Sequence, residues 1–353
     1  MRSRAWISGL PLGVAFLLSP GAQATTEGQR IVQEQSAPVA NETPTNASPD
    51  FSVEASLVNV NVLVTDEDGR VISGLKQENF RVLDNGVPQE ISSFAPSTAP
   101  ITIVMLLEYS SLGYNYYAAK AASWADRFLD ELEPRDWVAL VTYDMNSTVR
   151  ADFTRNRANV RDSLRGLGFP MFSEANLFDA LIQTLDKLEP VKGRKSILLL
   201  TTGANTFGEA TFDDVMKRLK GSDVTVFSIA LAEEEYTRSR SSDISYLQAR
   251  SFLNAFSEQT GGIAYFPRFA AEIHENFEGI TGFLRNEYTL TFSPKGKFRD
   301  AKFHKLAVQA IRPDGSRLTV KDEKGRERKL KVFARSGYMA PDLAARQNSA
   351  RAQ

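Results

Sequence analysis

An apolar run over residues 101–107 ends abruptly in side chains that carry oxygen atoms. Glu108 follows the run directly, and the hydroxyl groups of Tyr109, Ser110 and Ser111 come next. Carboxylate and hydroxyl oxygens are ligands that Mg²⁺ prefers, and a serine hydroxyl can also act as a nucleophile. The sequence therefore marks a candidate site here. A metal site, a catalytic site and the simple end of a buried strand are the alternatives.

The rest of the sequence does not favour catalysis at this point. A Ser-His-Asp relay needs a histidine near Ser110, but His274 lies in a predicted helix and His304 in a later predicted strand. Cysteine is absent, which excludes thiolate catalysis and cysteine-ligated zinc. The chain also lacks the spacing of a phosphate or dinucleotide loop. We therefore expect no catalytic residues, no cofactor and no enzymatic activity.

Composition and the first residues predict an exported protein. The chain has 353 residues, with 42 Lys and Arg against 43 Asp and Glu, so no nucleic-acid partner is expected. Two arginines precede an apolar stretch over residues 5–18, and Ala22 and Ala24 form a small-x-small cleavage site. This is the pattern of a signal peptide covering residues 1–24. No later segment reaches about 18 consecutive apolar residues, so we expect no transmembrane segment in a periplasmic, envelope-associated or secreted chain.

The period of the apolar residues divides the mature chain into segments. Residues 25–50 contain few large apolar side chains and are predicted to be a disordered tether. Apolar and polar residues alternate over 51–97 and again over 286–340, which predicts β-strands. Between them, residues 98–285 alternate apolar strands with helical patterns. Residues 341–353 are predicted to be a disordered tail.

The middle segment predicts a doubly wound α/β domain with a mostly parallel sheet, because continuously apolar strands need helices on both faces. The N-terminal strands alone make too small a sheet to be stable. We therefore expect the N- and C-terminal flanks to form one β-sandwich into which the α/β domain is inserted. Ligands bind open α/β sheets at the carboxyl ends of their strands, where Glu108 is predicted to lie.

Several of these motifs resemble a known family. The strand ends "EYSS" and "TTG", with the helix start "NLFDAL", resemble the layout of a von Willebrand factor A domain, which is Rossmann-like. The span from Leu57 to Ala340, with "VLVTDEDGRVISGLKQENFRVLDNG" and a closing "ARSGY", is similar to the exported VWFA-related family described from acidobacteria. The resemblance implies a metal-ion-dependent adhesion site. Its ligands are Asp-x-Ser-x-Ser after the first strand, a threonine from a middle loop and an aspartate after a later strand.

Residue-by-residue matching implies that this metal site is degenerate. Glu108 stands at the aspartate and Ser110 at the first serine, whereas the other three positions are occupied by Leu112, Ala175 and Thr202. Mg²⁺ demands near-octahedral oxygen coordination at ~2.0–2.1 Å, which leucine and alanine side chains cannot supply. The extra methylene of a glutamate also moves its carboxylate by about 1.5 Å. We therefore predict that no metal ion is bound.

Aromatic and methionine side chains near the same strand end favour a binding function. The candidate partner-binding residues are Tyr109, Ser111, Tyr114, Tyr116, Phe169, Met171 and Phe172. Such side chains concentrate at interfaces, and the alternative is that some of them close the sheet end as core residues. We expect a non-enzymatic protein-binding or adhesion module with an unknown protein partner. A structural or assembly component of an envelope complex is the alternative, and a metal-dependent adhesin or hydrolase fits less well.

Overall fold

The structure of the chain, a computed structural model, describes residues 57–96, 99–111, 121–231, 244–269, 271–295, 300–322 and 324–340. These residues all belong to one compact unit. The predicted signal peptide, tether and tail lie outside them, as do Leu112, Tyr114 and Tyr116. The predicted segment boundaries therefore stay predictions. Among the described helices, none is both long and apolar enough to span a bilayer.

Strands and helices follow the predicted order along the chain. The strands are β1 (Val58–Asp66), β2 (Phe80–Asp84), β3 (Val87–Gln89), β4 (Ile91–Pro96), β5 (Ile101–Glu108), β6 (Trp137–Tyr143), β7 (Ser147–Thr154), β8 (Arg194–Thr201), β9 (Thr225–Ala230), β10 (Ala264–Tyr265), β11 (Tyr288–Phe292), β12 (Phe303–Ala310), β13 (Thr319–Lys321), β14 (Glu327–Ala334) and β15 (Gly337–Met339). The helices are α1 (Ala121–Glu131), α2 (Arg157–Arg165), α3 (Leu177–Leu188), α4 (Phe212–Lys220), α5 (Ile244–Thr260) and α6 (Glu272–Arg285), with a short 3₁₀ helix at Gln77–Asn79.

The middle of the chain forms one six-stranded sheet in the order β10-β9-β8-β5-β6-β7. All neighbours pair in parallel except β7, which is an antiparallel edge strand on β6. Counted from β5, this order reads 6-5-4-1-2-3, the doubly wound arrangement. The predicted α/β class is confirmed. The switch point of the sheet, where ligands bind in such folds, lies between β5 and β8.

Both faces of β5 are covered by helices. Met105 belongs to one apolar cluster with Phe128 of α1 and Phe277 of α6. Leu106, on the opposite face, belongs to a second cluster with Leu181 of α3 and Phe256 of α5. Successive side chains of a strand point to opposite faces, so a strand covered twice must be apolar throughout. All 8 residues of β5 are buried, and the last of these is a carboxylate.

The two flanks of the chain share two further sheets. One has the order β13-β14-β1-β11-β4 and the other the order β15-β12-β2-β3, so each contains N-terminal and C-terminal strands. In the first sheet β1 lies between β11 and β14, with Val60 opposite Leu290 and Val64 opposite Val332. Val60 shares one buried core with Val82 of the second sheet. Neither flank therefore completes a sheet without the other.

Arg194 joins the α/β domain to these sheets at both chain crossings. Its guanidinium donates hydrogen bonds to the carbonyl oxygens of Ala99 at 3.3 Å and Leu284 at 2.7 Å, and to the carboxylate of Glu287. Ala99 precedes β5 and Glu287 precedes β11. Burial raises the pKa of Glu287, and the Arg194 charge offsets part of that rise. Removing one partner of a buried ion pair costs about 3–5 kcal/mol, so this pair holds both crossings in place.

An engineered disulfide tests the pairing of the two flanks, because the chain has no cysteine of its own. Asn59 of β1 lies opposite Thr291 of β11, and the Thr291 hydroxyl donates to Asn59 Oδ1 at 2.8 Å. Side chains directly opposite have Cβ atoms about 4.5–5.5 Å apart, close to disulfide geometry. We expect Asn59→Cys with Thr291→Cys to oxidise to an intramolecular disulfide, visible as a reductant-sensitive shift on a non-reducing gel.

The matched control combines Asn59→Cys with Thr289→Cys. Thr289 pairs with Asn61, so it lies diagonal to Asn59. Diagonal neighbours are about 7–8 Å apart, too far for an unstrained bridge, and this variant should stay mainly reduced. Equal disulfide yields in the two variants, or none in the first, would contradict the β1–β11 register.

Candidate functional site

Three neighbouring parallel strands end at the candidate site. Glu108 is the last residue of β5, Tyr143 the last of β6 and Thr201 the last of β8. Because the strands run parallel, their carboxyl ends lie at one edge of the sheet. The sequence correctly predicted Glu108 at this edge. It did not identify Tyr143 or Thr201 as parts of the site.

The Glu108 carboxylate is buried, with 1% of its surface exposed, and accepts several hydrogen bonds. Its Oε2 accepts from the Thr202 backbone N–H at 2.7 Å and from the Thr201 hydroxyl at 2.8 Å. Its Oε1 accepts from the Ser110 hydroxyl at 2.7 Å. The Thr202 hydroxyl lies 3.1 Å from Oε1 and 2.9 Å from Oε2. Hydroxyl and backbone donors therefore satisfy both oxygens of this carboxylate, as burial requires.

The hydroxyl groups of Tyr143 and Thr201 also belong to this network. Their hydroxyl oxygens are 2.7 Å apart, and the Tyr143 oxygen is 3.4 Å from Glu108 Oε2. Thr201 Oγ1 also accepts from the Gly203 backbone N–H at 2.9 Å, where a φ of 81° favours glycine. Burial raises the pKa of Tyr143 well above its ordinary value, and the Glu108 charge raises it further. The Tyr143 phenol therefore stays protonated and able to donate.

The remaining positions of the predicted metal site do not fit a Mg²⁺ ion. Ala175 is fully buried and presents only a methyl group. Its backbone N–H and carbonyl both bond to Thr206, each at 2.9 Å, which joins the loop before α3 to the loop after β8. Thr202 and Ser110 direct their hydroxyls to Glu108. Within the described ranges, no group of three His, Asp or Glu side chains is arranged to hold a metal ion.

The described members of the predicted partner-binding set lie on two segments that hydrogen bonds join, with Tyr109 and Ser111 on one and Phe169, Met171 and Phe172 on the other. Ser111 N–H donates to the Phe172 carbonyl at 2.8 Å, and the Tyr109 hydroxyl donates to the Gly168 carbonyl. These bonds hold the loop before α3 against the segment that follows β5. The side chains of Phe169, Met171 and Phe172 are 78%, 87% and 44% exposed, so they do not close the sheet end as core residues.

Phe207, which the sequence analysis missed, is a further exposed aromatic side chain, on the loop that follows β8. It is 61% exposed and follows Thr206, the residue bonded to Ala175. We define the apolar rim as Phe169, Met171, Phe172 and Phe207. Phe207 lies six residues after Thr201, the last residue of β8, in a loop whose sequence has no helical or strand periodicity that could have indicated it.

Each histidine has partners other than Glu108. His304, in β12, has its Nδ1 2.9 Å from Asp84 Oδ1, and the Tyr338 hydroxyl donates to Asp84 Oδ2 at 2.8 Å. These three buried side chains sit between β2, β12 and β15 of the four-stranded sheet. His274, in α6, pairs with Glu278 one helical turn later at 2.9 Å. No sequence pattern indicated the buried Asp84–His304–Tyr338 cluster.

Comparison with known proteins gives only distant structural similarities. No protein-family model and no curated protein matches the chain. Three of the similar solved structures are the conserved hypothetical protein BatB from Bacteroides thetaiotaomicron, a von Willebrand factor type A protein from Catenulispora acidiphila, and the vWF domain of the type V pili tip protein Mfa5 from Porphyromonas gingivalis. Their identities are 16%, 13% and 14%, with TM-scores of 0.40, 0.42 and 0.40.

The three similarities cover different shares of the chains. The match to BatB covers 53% of this chain and 100% of the BatB chain. The match to the Catenulispora protein covers 81% of this chain and 75% of that protein. The match to the Mfa5 domain covers 53% of this chain and 95% of that domain. At these scores, only the residues of the chain itself carry information about its function.

The metal-free prediction is tested by thermal stability in the presence of ions. A ligand that binds only the folded state at roughly 100 times its Kd stabilises that state by about 2.7 kcal/mol. Because Ala175 offers no oxygen and Thr202 bonds to Glu108, we expect no rise in melting temperature with millimolar Mg²⁺, Mn²⁺ or Ca²⁺, and no fall with EDTA. A clear ion-dependent rise in the wild type would contradict the prediction.

The restored variant provides the positive control. It combines Glu108→Asp, Leu112→Ser, Ala175→Thr and Thr202→Asp, which rebuild the five-residue oxygen pattern around the existing Ser110. We expect ion-dependent stabilisation to appear in this variant. If the folded variant shows none, the residue matching itself is wrong.

A second prediction concerns the Glu108 network. In Glu108→Gln, an amide NH₂ replaces one carboxylate oxygen: in the place of Oε2 it faces the Thr202 N–H, a donor, and in the place of Oε1 it requires the Ser110 hydroxyl to accept instead of donate. Hydrogen bonds to a charged group contribute roughly 1.5–3 kcal/mol each, and we expect this variant to lose at least that much unfolding free energy. Urea denaturation at constant m measures the loss. Glu209→Gln, at an exposed position, should stay within about 0.5 kcal/mol, and equal stability of both variants would contradict the network.

Proposed function

We propose that this chain is an exported, non-enzymatic protein-binding or adhesion module of the VWFA-related type with a degenerate metal site. Its α/β domain is inserted into a β-sandwich made by both flanks and binds a protein partner through the carboxyl-end face of the sheet. The order of the six strands supports the domain type, because ligands of doubly wound sheets bind at the switch point, which here lies between β5 and β8. The apolar rim at that face is the observation that carries the proposal.

The apolar rim has the chemistry of a protein interface. Phe169, Met171 and Phe207 are each more than half exposed, although large apolar side chains usually lie inside a protein. Large apolar side chains exposed on neighbouring loops are typical of interaction sites, and aromatic residues and methionine are enriched in interfaces. An aromatic-rich partner surface or an apolar peptide segment fits such a rim.

The rim is presented by anchored loops. The backbone of Phe172 is bonded to Ser111, and Thr206, beside Phe207, makes two bonds to Ala175. Anchoring of this kind reduces the entropy that binding would otherwise cost. Because α3 begins at Leu177, directly behind the first loop, the rim is also tied to a packed helix.

A metal ion is not required for this mode of binding. In a metal-dependent adhesion site the ion would bridge the protein to an acidic group of the partner. Here the Glu108 carboxylate is satisfied by Ser110, Thr201 and Thr202. Apolar contact then supplies the affinity, so binding should be insensitive to EDTA and weakly sensitive to salt.

The proposal is tested with the mature chain immobilised and exposed to an envelope extract, with retained proteins identified by mass spectrometry. The rim variant combines Phe169→Ser with Met171→Ser. Truncating central apolar interface residues costs more than about 1 kcal/mol each, so retention of a specific partner should fall by roughly tenfold or more. EDTA should leave wild-type retention unchanged.

The matched control combines Leu57→Ser with Val87→Ser, which removes similarly exposed apolar side chains from the flanking strands. It should retain the same partner as the wild type. Identical sets of retained proteins for the rim variant and the control would contradict binding through the rim. Loss of binding in EDTA would instead favour a metal-dependent adhesin.

A further inference from the structure

A cavity lined mostly by polar residues lies where the α/β domain meets the five-stranded sheet. It has a volume of about 310 Å³ and is lined from one side by Asn61 of β1 and Thr289 of β11, and from the other by Arg194 and Thr225, the first residues of β8 and β9. Arg335, which follows β14, completes the wall. We call this space the junction cavity.

The junction cavity is separate from the Glu108 site. Strand β8 begins at the cavity with Arg194 and ends at the network with Thr201. Its 8 residues span roughly 23 Å at about 3.3 Å each. A ligand of the cavity therefore contacts the amino ends of the parallel strands and not the apolar rim.

Arg335 brings a positive charge to the cavity wall. Its Nη2 donates to the Ser222 carbonyl at 2.8 Å and its Nε to the Gly337 carbonyl at 2.7 Å. Within the described part of the chain, no carboxylate forms a salt bridge with it. Asp223, which also lines the cavity, is paired instead with Lys195 Nζ at 2.6 Å. Burial lowers the pKa of Arg335, and the Asp223 charge offsets only part of this effect.

Amide groups add hydrogen-bond donors around this charge. The Thr289 hydroxyl donates to Asn61 Oδ1 at 3.1 Å and the Thr291 hydroxyl to Asn59 Oδ1 at 2.8 Å. Both asparagine oxygens are therefore engaged, which leaves their Nδ2 groups as donors. Gln259 also lines the cavity, and its buried Nε2 has no hydrogen-bond partner in the described structure. A buried donor without a partner costs about 1–3 kcal/mol, which rotation of this side chain toward a bound acceptor would recover.

We propose that the junction cavity binds a small molecule through an oxyanion, either a carboxylate or a phosphate group. A guanidinium matches both groups in geometry and charge, and the amide donors supply further bonds to oxygen. The volume falls at the lower end of the range of about 300–1,000 Å³ that is typical of small-molecule sites. The ligand contacts Arg335 and the asparagines of β1 on the side of the five-stranded sheet, and the turn before β9 on the side of the α/β domain. It thereby stabilises the attachment of the domain to the sheet.

The experiment measures the melting temperature of the mature protein at constant ionic strength. Chloride is replaced stepwise by inorganic phosphate in one arm and by succinate in the other. We expect saturable stabilisation in at least one arm, and the arm that responds identifies the oxyanion. If neither anion stabilises the wild type beyond chloride, the proposal is wrong.

Two variants locate the effect. Asn59→Asp keeps an oxygen acceptor for the Thr291 hydroxyl but adds negative charge to the cavity wall, and Arg335→Gln removes the guanidinium. Each should weaken the apparent affinity by about tenfold or more, the size expected for a bond to a charged group. Arg70→Gln, at an exposed turn outside the cavity, should leave it within about twofold.

Arg335 also bonds to Ser222 and Gly337, so Arg335→Gln could destabilise the junction in addition to removing the anion contact. Asn59→Asp leaves these bonds in place and therefore tests the cavity independently. A wild-type response that persists unchanged in folded Asn59→Asp and Arg335→Gln would overturn the assignment to this cavity. A response lost equally in Arg70→Gln would reveal a general surface-charge effect and would overturn it as well.

Discussion

The burial of one carboxylate at the end of a central strand constrains the rest of this structure. Glu108 ends a strand that has helices on both faces, so water is excluded and the protein must supply every hydrogen bond. Those bonds come from Ser110 in the next turn and from Thr201 and Thr202 at the neighbouring strand end. The positions of β5, β8 and the two following loops are therefore coupled. A shift of either strand by one residue would leave the carboxylate unsatisfied.

This coupling shapes the surface above it. The loop before α3 and the loop after β8 are held together by Ala175 and Thr206, and each presents bulky apolar side chains to solvent. A carboxylate already satisfied by neutral donors has little to offer a charged partner or an ion. In the proposed function, apolar side chains on anchored loops provide a different source of affinity at the same edge. The proposed function rests on this contrast between a carboxylate with no free hydrogen-bonding capacity and exposed apolar side chains.

The amino ends of the strands meet a different environment, since the flanking sheets pack there. Strand β1 takes part in both halves: Val62 and Val64 enter the core of the flanking sheets, whereas Leu63, pointing the opposite way, enters a core of the α/β domain. Arg194 reinforces the same junction through Glu287 and the carbonyl groups at both crossings. The junction cavity lies beside these contacts, so an anion bound there would act on the attachment of the two halves.

The sequence by itself determined the α/β class, the order of strands and helices, and the place of Glu108 at a strand end, because apolar periodicity reports local burial directly. The strand at Ile101–Glu108 and the β-patterns on both flanks are examples. Only the tertiary structure decided which groups surround Glu108: Tyr143 and Thr201 lie 35 and 93 positions away along the chain. Periodicity does not specify which strands become neighbours. The same limit hid Phe207 and the junction cavity, whose walls come from distant segments that meet only when the sheets assemble.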